Sequence, residues 1–205
     1  MLQGQRNILA HAANQACAKW KALEPRQNHK TCVGVLGMGH IGGETARLMR
    51  DLGFEVHGWS RSAKEMEGVT CHHGSEAFEP MLGICDYICA ILPSTPETRG
   101  LINAQRLAAM KPGATFINAG RGDLADEAAL IADLDRGHLG HAVLDVLCTE
   151  PLPETDPLWS HPRVTITPHV SGWHLGEALA DVVENFRRLG AGEALLHAVD
   201  RQRGY

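Results

Sequence analysis

The chain has 205 residues, 44% of them apolar and 21% charged, with a formal net charge of −5. That is enough apolar material for the core of one ordinary domain and too little charge for global disorder. The acidic balance, without a dense Lys/Arg stretch, excludes nucleic acid as the main partner; only the tail from Asp200 to Tyr205 is locally basic.

The start of the chain is mostly polar, and no apolar run approaches the ~18 residues that a spanning helix needs. A cytoplasmic protein with no membrane partner is expected. Six cysteines (Cys17, Cys32, Cys71, Cys85, Cys89 and Cys148) form no Cys-x-x-Cys pair and suit a reducing compartment as small hydrophobes. Cys71-His72-His73 lacks a second ligand pair at zinc-like spacing, so no metal is expected.

Ile8, Ala12, Ala16 and Trp20 recur every four residues and predict a helix over 5–23. Pro25 and the polar stretch 26–30 end it, so 1–30 reads as a helical arm and linker. A strand is predicted over 32–36, then an amphipathic helix over 41–52 stopped by Gly53. Strands follow over 54–59 and 69–71, a short helix capped by Ser75 reaches 82, and 86–92 reads as a buried parallel strand. A helix over 103–110, a strand over 114–118, a helix over 126–135 and strands over 142–146 and 164–167 complete the alternation. The last long helix is predicted over 176–189. Strands alternating with helices at this spacing predict an α/β fold, a doubly wound Rossmann-type parallel sheet. The dinucleotide-binding domain is placed at 31–168, with 169–205 as a C-terminal helix and tail.

Gly37-Met38-Gly39-His40-Ile41-Gly42 matches G-x-G-x-x-G between a predicted strand and a predicted helix. Gly37 allows the tight turn, Gly39 lets backbone approach a pyrophosphate, and Gly42 lets helix and strand pack closely. The helix start, from His40 and Ile41, offers its N–H groups to phosphate. The end of the second strand chooses the cofactor. An NAD site places Asp or Glu there to hold the ribose 2′-hydroxyl. This chain has Trp59-Ser60-Arg61-Ser62, and Glu55 lies too early to substitute. Arg61, with Ser60 or Ser62, can pair a 2′-phosphate, so NADP is expected in preference to NAD.

Three groups lie just beyond predicted strands: Arg121 in Asn118-Ala119-Gly120-Arg121-Gly122, Glu150 in Glu150-Pro151-Leu152-Pro153, and His169 in Thr167-Pro168-His169. Open α/β sheets place their chemistry there. A cation, a carboxylate and an imidazole at one edge can bind an acid, polarise a carbonyl and move a proton.

These segments, together with Leu92-Pro93-Ser94-Thr95-Pro96, Leu144-Asp145-Val146, Pro157-Leu158-Trp159 and the terminal Val199-Asp200-Arg201-Gln202-Arg203-Gly204-Tyr205, resemble the D-isomer-specific 2-hydroxyacid dehydrogenase family. The likeness is strongest to its glyoxylate/hydroxypyruvate-reducing branch. It implies NADPH-dependent reduction of a small 2-keto acid or aldehyde acid to the 2-hydroxy acid. Arg121 would clamp the substrate, His169 would donate the proton, and Glu150 would orient the ring and favour its protonated form. Leu92, Pro93, Ala119 and Gly120 would line the cofactor cleft, with Asp145 on the nicotinamide side. The family also implies a homodimer and a two-lobed subunit. Here only a short arm precedes the nucleotide domain, so the C-terminal helix is expected to be what remains of an incomplete second lobe. A fragment, a mis-started frame or a short form fits equally. The competing expectation is a non-catalytic NADP-binding and dimerisation module. A formate dehydrogenase relative would carry Gln where this chain has Glu150.

Overall fold

The computed structural model describes residues 1–172 and 178–199. Seven strands form one parallel sheet: β1 (Cys32–Leu36), β2 (Glu55–Ser60), β3 (Thr70–His73), β4 (Tyr87–Ala90), β5 (Thr115–Asn118), β6 (His141–Leu144) and β7 (Val164–Ile166). Their spatial order is β3-β2-β1-β4-β5-β6-β7. The chain therefore reverses direction across the sheet between β1 and β4, at the crevice where doubly wound folds bind nucleotides. All six pairings are parallel.

Both sheet faces are covered, which is why β1 and β4 read as unbroken apolar runs. One face carries Leu36, Ile88, Phe116 and Leu144 against Phe78, Met81, Leu107 and Leu130. Here α4 (Phe78–Leu82), α5 (Ala104–Ala109) and α6 (Glu127–Asp135) supply the cover. Full burial contributes about 1.5–3 kcal/mol for each large apolar side chain. On the other face, α3 (His40–Asp51) packs Ala46 into a cluster with Val33, Val35, Val56 and Phe54. Asn103 caps α5 by accepting from the Arg106 N–H, and Asp126 caps α6 by accepting from Ala129 N–H.

The arm departs from expectation. The predicted 5–23 helix is two helices, α1 (Leu2–Gln5) and α2 (Ile8–Ala16), with nothing helical from 18 to 27. Asn7 stands between them in the left-handed conformation (φ 53°), which asparagine tolerates better than most residues. Tertiary bonds fix the break. Buried Gln5 donates to Asn28 Oδ1 and Thr31 Oγ1, both at 3.1 Å, and accepts from the Tyr87 hydroxyl at 3.2 Å. Asn7 Nδ2 donates to Glu24 O at 2.9 Å. The four-residue apolar spacing buries no face on this chain: Trp20 is fully exposed and Ile8 is 48% exposed.

Ser75 is not a cap either, since α4 starts three residues later and has no side-chain cap. The last helix, α7, is described from Ala178 to Ala191; the predicted start at Gly176 and the basic tail lie outside the described residues. Leu179, Val182, Val183, Phe186 and Leu189 on α7 are each more than 60% exposed. No described helix is long and apolar enough to cross a membrane.

Candidate active site

The glycine turn leaves the carboxyl end of β1 at the switch point. Gly37 has φ +101°, and a Cβ there would sit 2.5 Å from Ile91 O. A Cβ on Gly42 would lie 1.7 Å from Gly37 O, so only glycine lets α3 close on the turn. Gly39 differs: a Cβ would meet nothing within 4 Å. The turn is thus tight where the chain folds on itself and open where a ligand would approach. Gly39 also precedes His40 and Ile41, whose N–H groups begin a twelve-residue helix. These residues fit a dinucleotide pyrophosphate.

Beside the turn, β2 ends at Ser60, whose Oγ donates to Ser62 O at 2.7 Å and pins the loop. Arg61 and Ser62 are exposed. Glu97 lies below the ordinary carboxylate range, chiefly through hydrogen bonds from Thr95 and from its own backbone N–H and in part through the positive charge of Arg61. Leu92 and Pro93 follow β4 and are half-buried. A Cβ on Gly120 would collide with Leu92 O at 2.7 Å, so the loop after β5 lies directly on the loop after β4. Ala119 extends that contact by donating to Ala90 O at 3.1 Å.

Arg121 is exposed, and its Nη1 donates to Gly120 O at 2.7 Å. Its own carbonyl accepts from Asn118 Nδ2 at 2.9 Å, while Asn118 Oδ1 accepts from the Gly120 N–H at 3.2 Å. The next residue, Gly122, seats on the Leu147–Cys148 backbone so closely that a Cβ would come within 2.0 Å. The Arg121 loop is thereby held beside the Glu150 loop. Among the described residues the guanidinium makes no hydrogen bond to Glu150 or His169.

Those two meet directly: His169 Nδ1 lies 2.8 Å from Glu150 Oε2. The second Glu150 oxygen accepts the Leu147 N–H at 2.9 Å. The His169 bond first, then the Leu147 bond, hold the Glu150 carboxyl below its ordinary range. His169 has φ +54°, and its N–H donates to Asp145 O at 2.8 Å. Asp145 is buried, and both its oxygens are taken. Oδ1 accepts from Thr167 Oγ1 and the Val170 N–H, and Oδ2 accepts from the Ser171 N–H. Burial pushes the Asp145 carboxyl up, but the bonds from Ser171, Thr167 and Val170 outweigh it and hold it below the ordinary range. With Leu147, Leu152, Trp159, Ile166 and Thr167, these residues line a cleft of about 410 Å³.

Sequence reasoning brought Glu150 and His169 to one edge, and the structure joins them. It missed Thr167 and the Leu147 N–H, which position Asp145 and Glu150. Thr167 stands in the Thr-Pro-His segment, but nothing in the sequence ties its hydroxyl to Asp145. A backbone amide such as that of Leu147 leaves no signal at all.

A glycine turn left open at Gly39 at the switch point, with an imidazole–carboxylate pair on the same edge of the parallel sheet, defines a dinucleotide-binding domain of the doubly wound class. A sequence profile of the D-isomer specific 2-hydroxyacid dehydrogenase, NAD binding domain, matches residues 1–171, and the chain belongs to that family. Among curated relatives, it is 40% identical over 188 residues to glyoxylate/hydroxypyruvate reductase A of Serratia proteamaculans (strain 568), covering 91% of this chain and 60% of the relative. This chain therefore spans about three fifths of that relative's length. A D-isomer specific 2-hydroxyacid dehydrogenase from Xanthobacter autotrophicus Py2, solved with NADPH and MES, superposes with a TM-score of 0.93 at 46% identity. That match covers 100% of this chain and 85% of the other. The NADPH-dependent glyoxylate/hydroxypyruvate reductase of Sinorhizobium meliloti, solved with NADP and sulfate, gives 0.94 at 37% identity, covering 100% and 66%.

Proposed function

We propose that this chain is the cofactor-binding and proton-donating part of an NADPH-dependent reductase of small 2-keto acids or aldehyde acids, of the glyoxylate and hydroxypyruvate class. The 2.8 Å His169–Glu150 pair carries the reading. Glu150 occupies Nδ1, fixes the ring's orientation and leaves Nε2 as the nitrogen that serves a reacting oxygen. Reduced NADP, when bound, supplies the hydride to the carbonyl carbon. His169 then gives its proton to the carbonyl oxygen and Arg121 holds the substrate carboxylate through paired N–H groups. Gly37, Gly39, Gly42 and the N–H groups of His40 and Ile41 receive the pyrophosphate. Arg61, with Ser60 and Ser62, receives the 2′-phosphate. Leu92, Pro93, Ala119 and Gly120 wall the cleft, and Asp145 keeps the His169 segment in place beside it. The two solved relatives bound to NADPH and to NADP support this cofactor choice.

The decisive assay is NADPH oxidation on adding glyoxylate or hydroxypyruvate. His169→Ala should cost about 10²–10⁴-fold in kcat with NADPH affinity unchanged. Binding without turnover in the parent chain would instead support the non-catalytic module. That second reading draws on the chain's three-fifths coverage of its relative and on the 50% exposure of the His169 side chain. Arg61→Ala should weaken NADPH binding about 10–100-fold and NADH binding little, since only the former loses a charge-assisted pair; equal losses would refute the NADP preference.

Self-association belongs to the same reading. Ile8 and Leu9 stand nearly half exposed on α2, and a second copy is the occupant we assign to that face. Sedimentation as a monomer at working concentration would remove the assignment.

A further inference from the structure

The opposite edge of the sheet holds a second cluster of reactive side chains. Cys32 opens β1 and is paired in register with Glu55, which opens β2. His57 follows two residues along β2 and so projects to the same face as Glu55. One donor atom each from Cys32, Glu55 and His57 lie within 4.8 Å of one another. His57 Nδ1 is 2.8 Å from His72 Nε2, and Nε2 is 3.2 Å from Glu55 Oε1. Cys85 Sγ is 3.4 Å from Cys32 Sγ. Space for Cys85 exists because Gly34, paired with His57, has no side chain: a Cβ there would lie 3.0 Å from the sulfur.

We infer that Cys32, Glu55 and His57 form a binding site for a divalent transition-metal ion of the zinc class, with the fourth position open to water. Thiolate, imidazole and carboxylate together are the donor set such ions select, whereas magnesium and calcium take oxygen alone. Tetrahedral zinc, at about 2.3 Å from sulfur and 2.0–2.2 Å from nitrogen and oxygen, places its donors roughly 3.3–3.8 Å apart. With all three donors within 4.8 Å of one another, the triangle closes on that size by at most about 1 Å of side-chain movement. Glu55 can adjust most readily, because its side chain is 65% exposed while that of His57 is 9% exposed. The same exposure gives the ion its entry path.

The outer contacts fit as well. A metal on His57 Nε2 leaves the proton on Nδ1, which then donates to His72 Nε2, the kind of partner that orients a ligating imidazole. Asp86 accepts the Cys32 N–H at 2.9 Å and Lys111 Nζ at 2.7 Å, and so fixes the backbone under the cysteine without adding net charge. Thiolate and carboxylate from Cys32 and Glu55 balance a divalent charge. The sequence pointed elsewhere, to Cys71-His72-His73 and to no metal, because these donors are 23 residues or more apart except for Glu55 and His57 and meet only through strand register.

The test is cobalt(II) titration of the full chain carrying Cys17→Ser and Cys148→Ser, which removes the two exposed thiols, with a non-thiol reductant present. The expected result is a sulfur-to-cobalt charge-transfer band and intense tetrahedral d–d bands that saturate at one equivalent and are displaced by one equivalent of zinc. Cys32→Ser should abolish the charge-transfer band. Glu55→Gln, at an exposed position that leaves folding intact, should weaken binding at least ~10-fold. Weak octahedral bands alone, or a titration that none of these substitutions moves, would overturn the inference. So would oxidation of Cys32 and Cys85 to a disulfide in reductant-free buffer without metal uptake from equimolar zinc.

Discussion

The glycine turn and the His169 loop sit on the same edge of one sheet, yet they are specified by different physics. The turn is fixed by contact: at Gly37 and Gly42 a single added carbon would overlap backbone oxygen. The His169 loop is fixed by polar bonds to groups that could each be satisfied otherwise, with Asp145 as the hub. Steric definition is local and nearly absolute. Polar definition is distributed, graded and dependent on pH. Perturbations of the two should therefore separate cofactor binding from proton transfer.

The largest effect is expected at Gly42→Ala. No relaxation of a side chain relieves a 1.7 Å approach to Gly37 O, so α3 must shift off the turn. A destabilisation of about 3 kcal/mol or more is expected, with loss of NADPH binding, read by thermal unfolding and by fluorescence titration. Gly39→Ala sharpens the contrast. Its backbone (φ −78°) suits alanine and its surroundings are open, so stability should stay within about 0.5 kcal/mol while NADPH affinity falls. If the two substitutions behaved alike, contact would not be what defines the turn.

Asp145→Asn acts on the other half of the comparison. The Asp145 carboxyl lies below its ordinary range in the folded chain. A depressed acid stabilises the fold above its unfolded pKa of about 3.9, and that contribution disappears as pH falls through the folded value. The variant should thus be less stable than the parent by about 1–3 kcal/mol at pH 7, with the gap closing below about pH 4. Denaturant unfolding at both pH values measures it. A gap that persisted in acid would mean that shape and not charge holds Asp145 among its donors.

The same division explains what could be read from the residues alone. The turn was legible because its requirement is local: three glycines at fixed offsets between a strand and a helix allow few other structures. The parallel sheet was legible because its central strands β1 and β4, buried at every position, are apolar throughout. Glu150 and His169 were legible only as a set, since each alone suits a solvated loop. The arm misled because its four-residue spacing promised a buried stripe, whereas Gln5, Asn7 and Tyr87 settle its course through bonds to residues up to 82 positions away. The Cys32–His57 cluster was hidden for the same reason: strand register, not sequence spacing, assembles it.

Thr167→Val should give the smallest effect and discriminate most finely. The substitution keeps the shape of the side chain and removes one donor to Asp145, leaving the Val170 and Ser171 amides in place. Loss of one hydrogen bond to a charged acceptor costs about 1.5–3 kcal/mol when nothing compensates, and less here because two donors remain. Since His169 hangs from the same residue through its N–H bond to Asp145 O, the loss should appear as a several-fold drop in kcat. The NADPH dissociation constant should not move, because among the described residues the turn shares no hydrogen bond with this network. A matching loss of cofactor affinity would show that the two halves of the edge are mechanically coupled, and the separation between steric and polar definition would fail there.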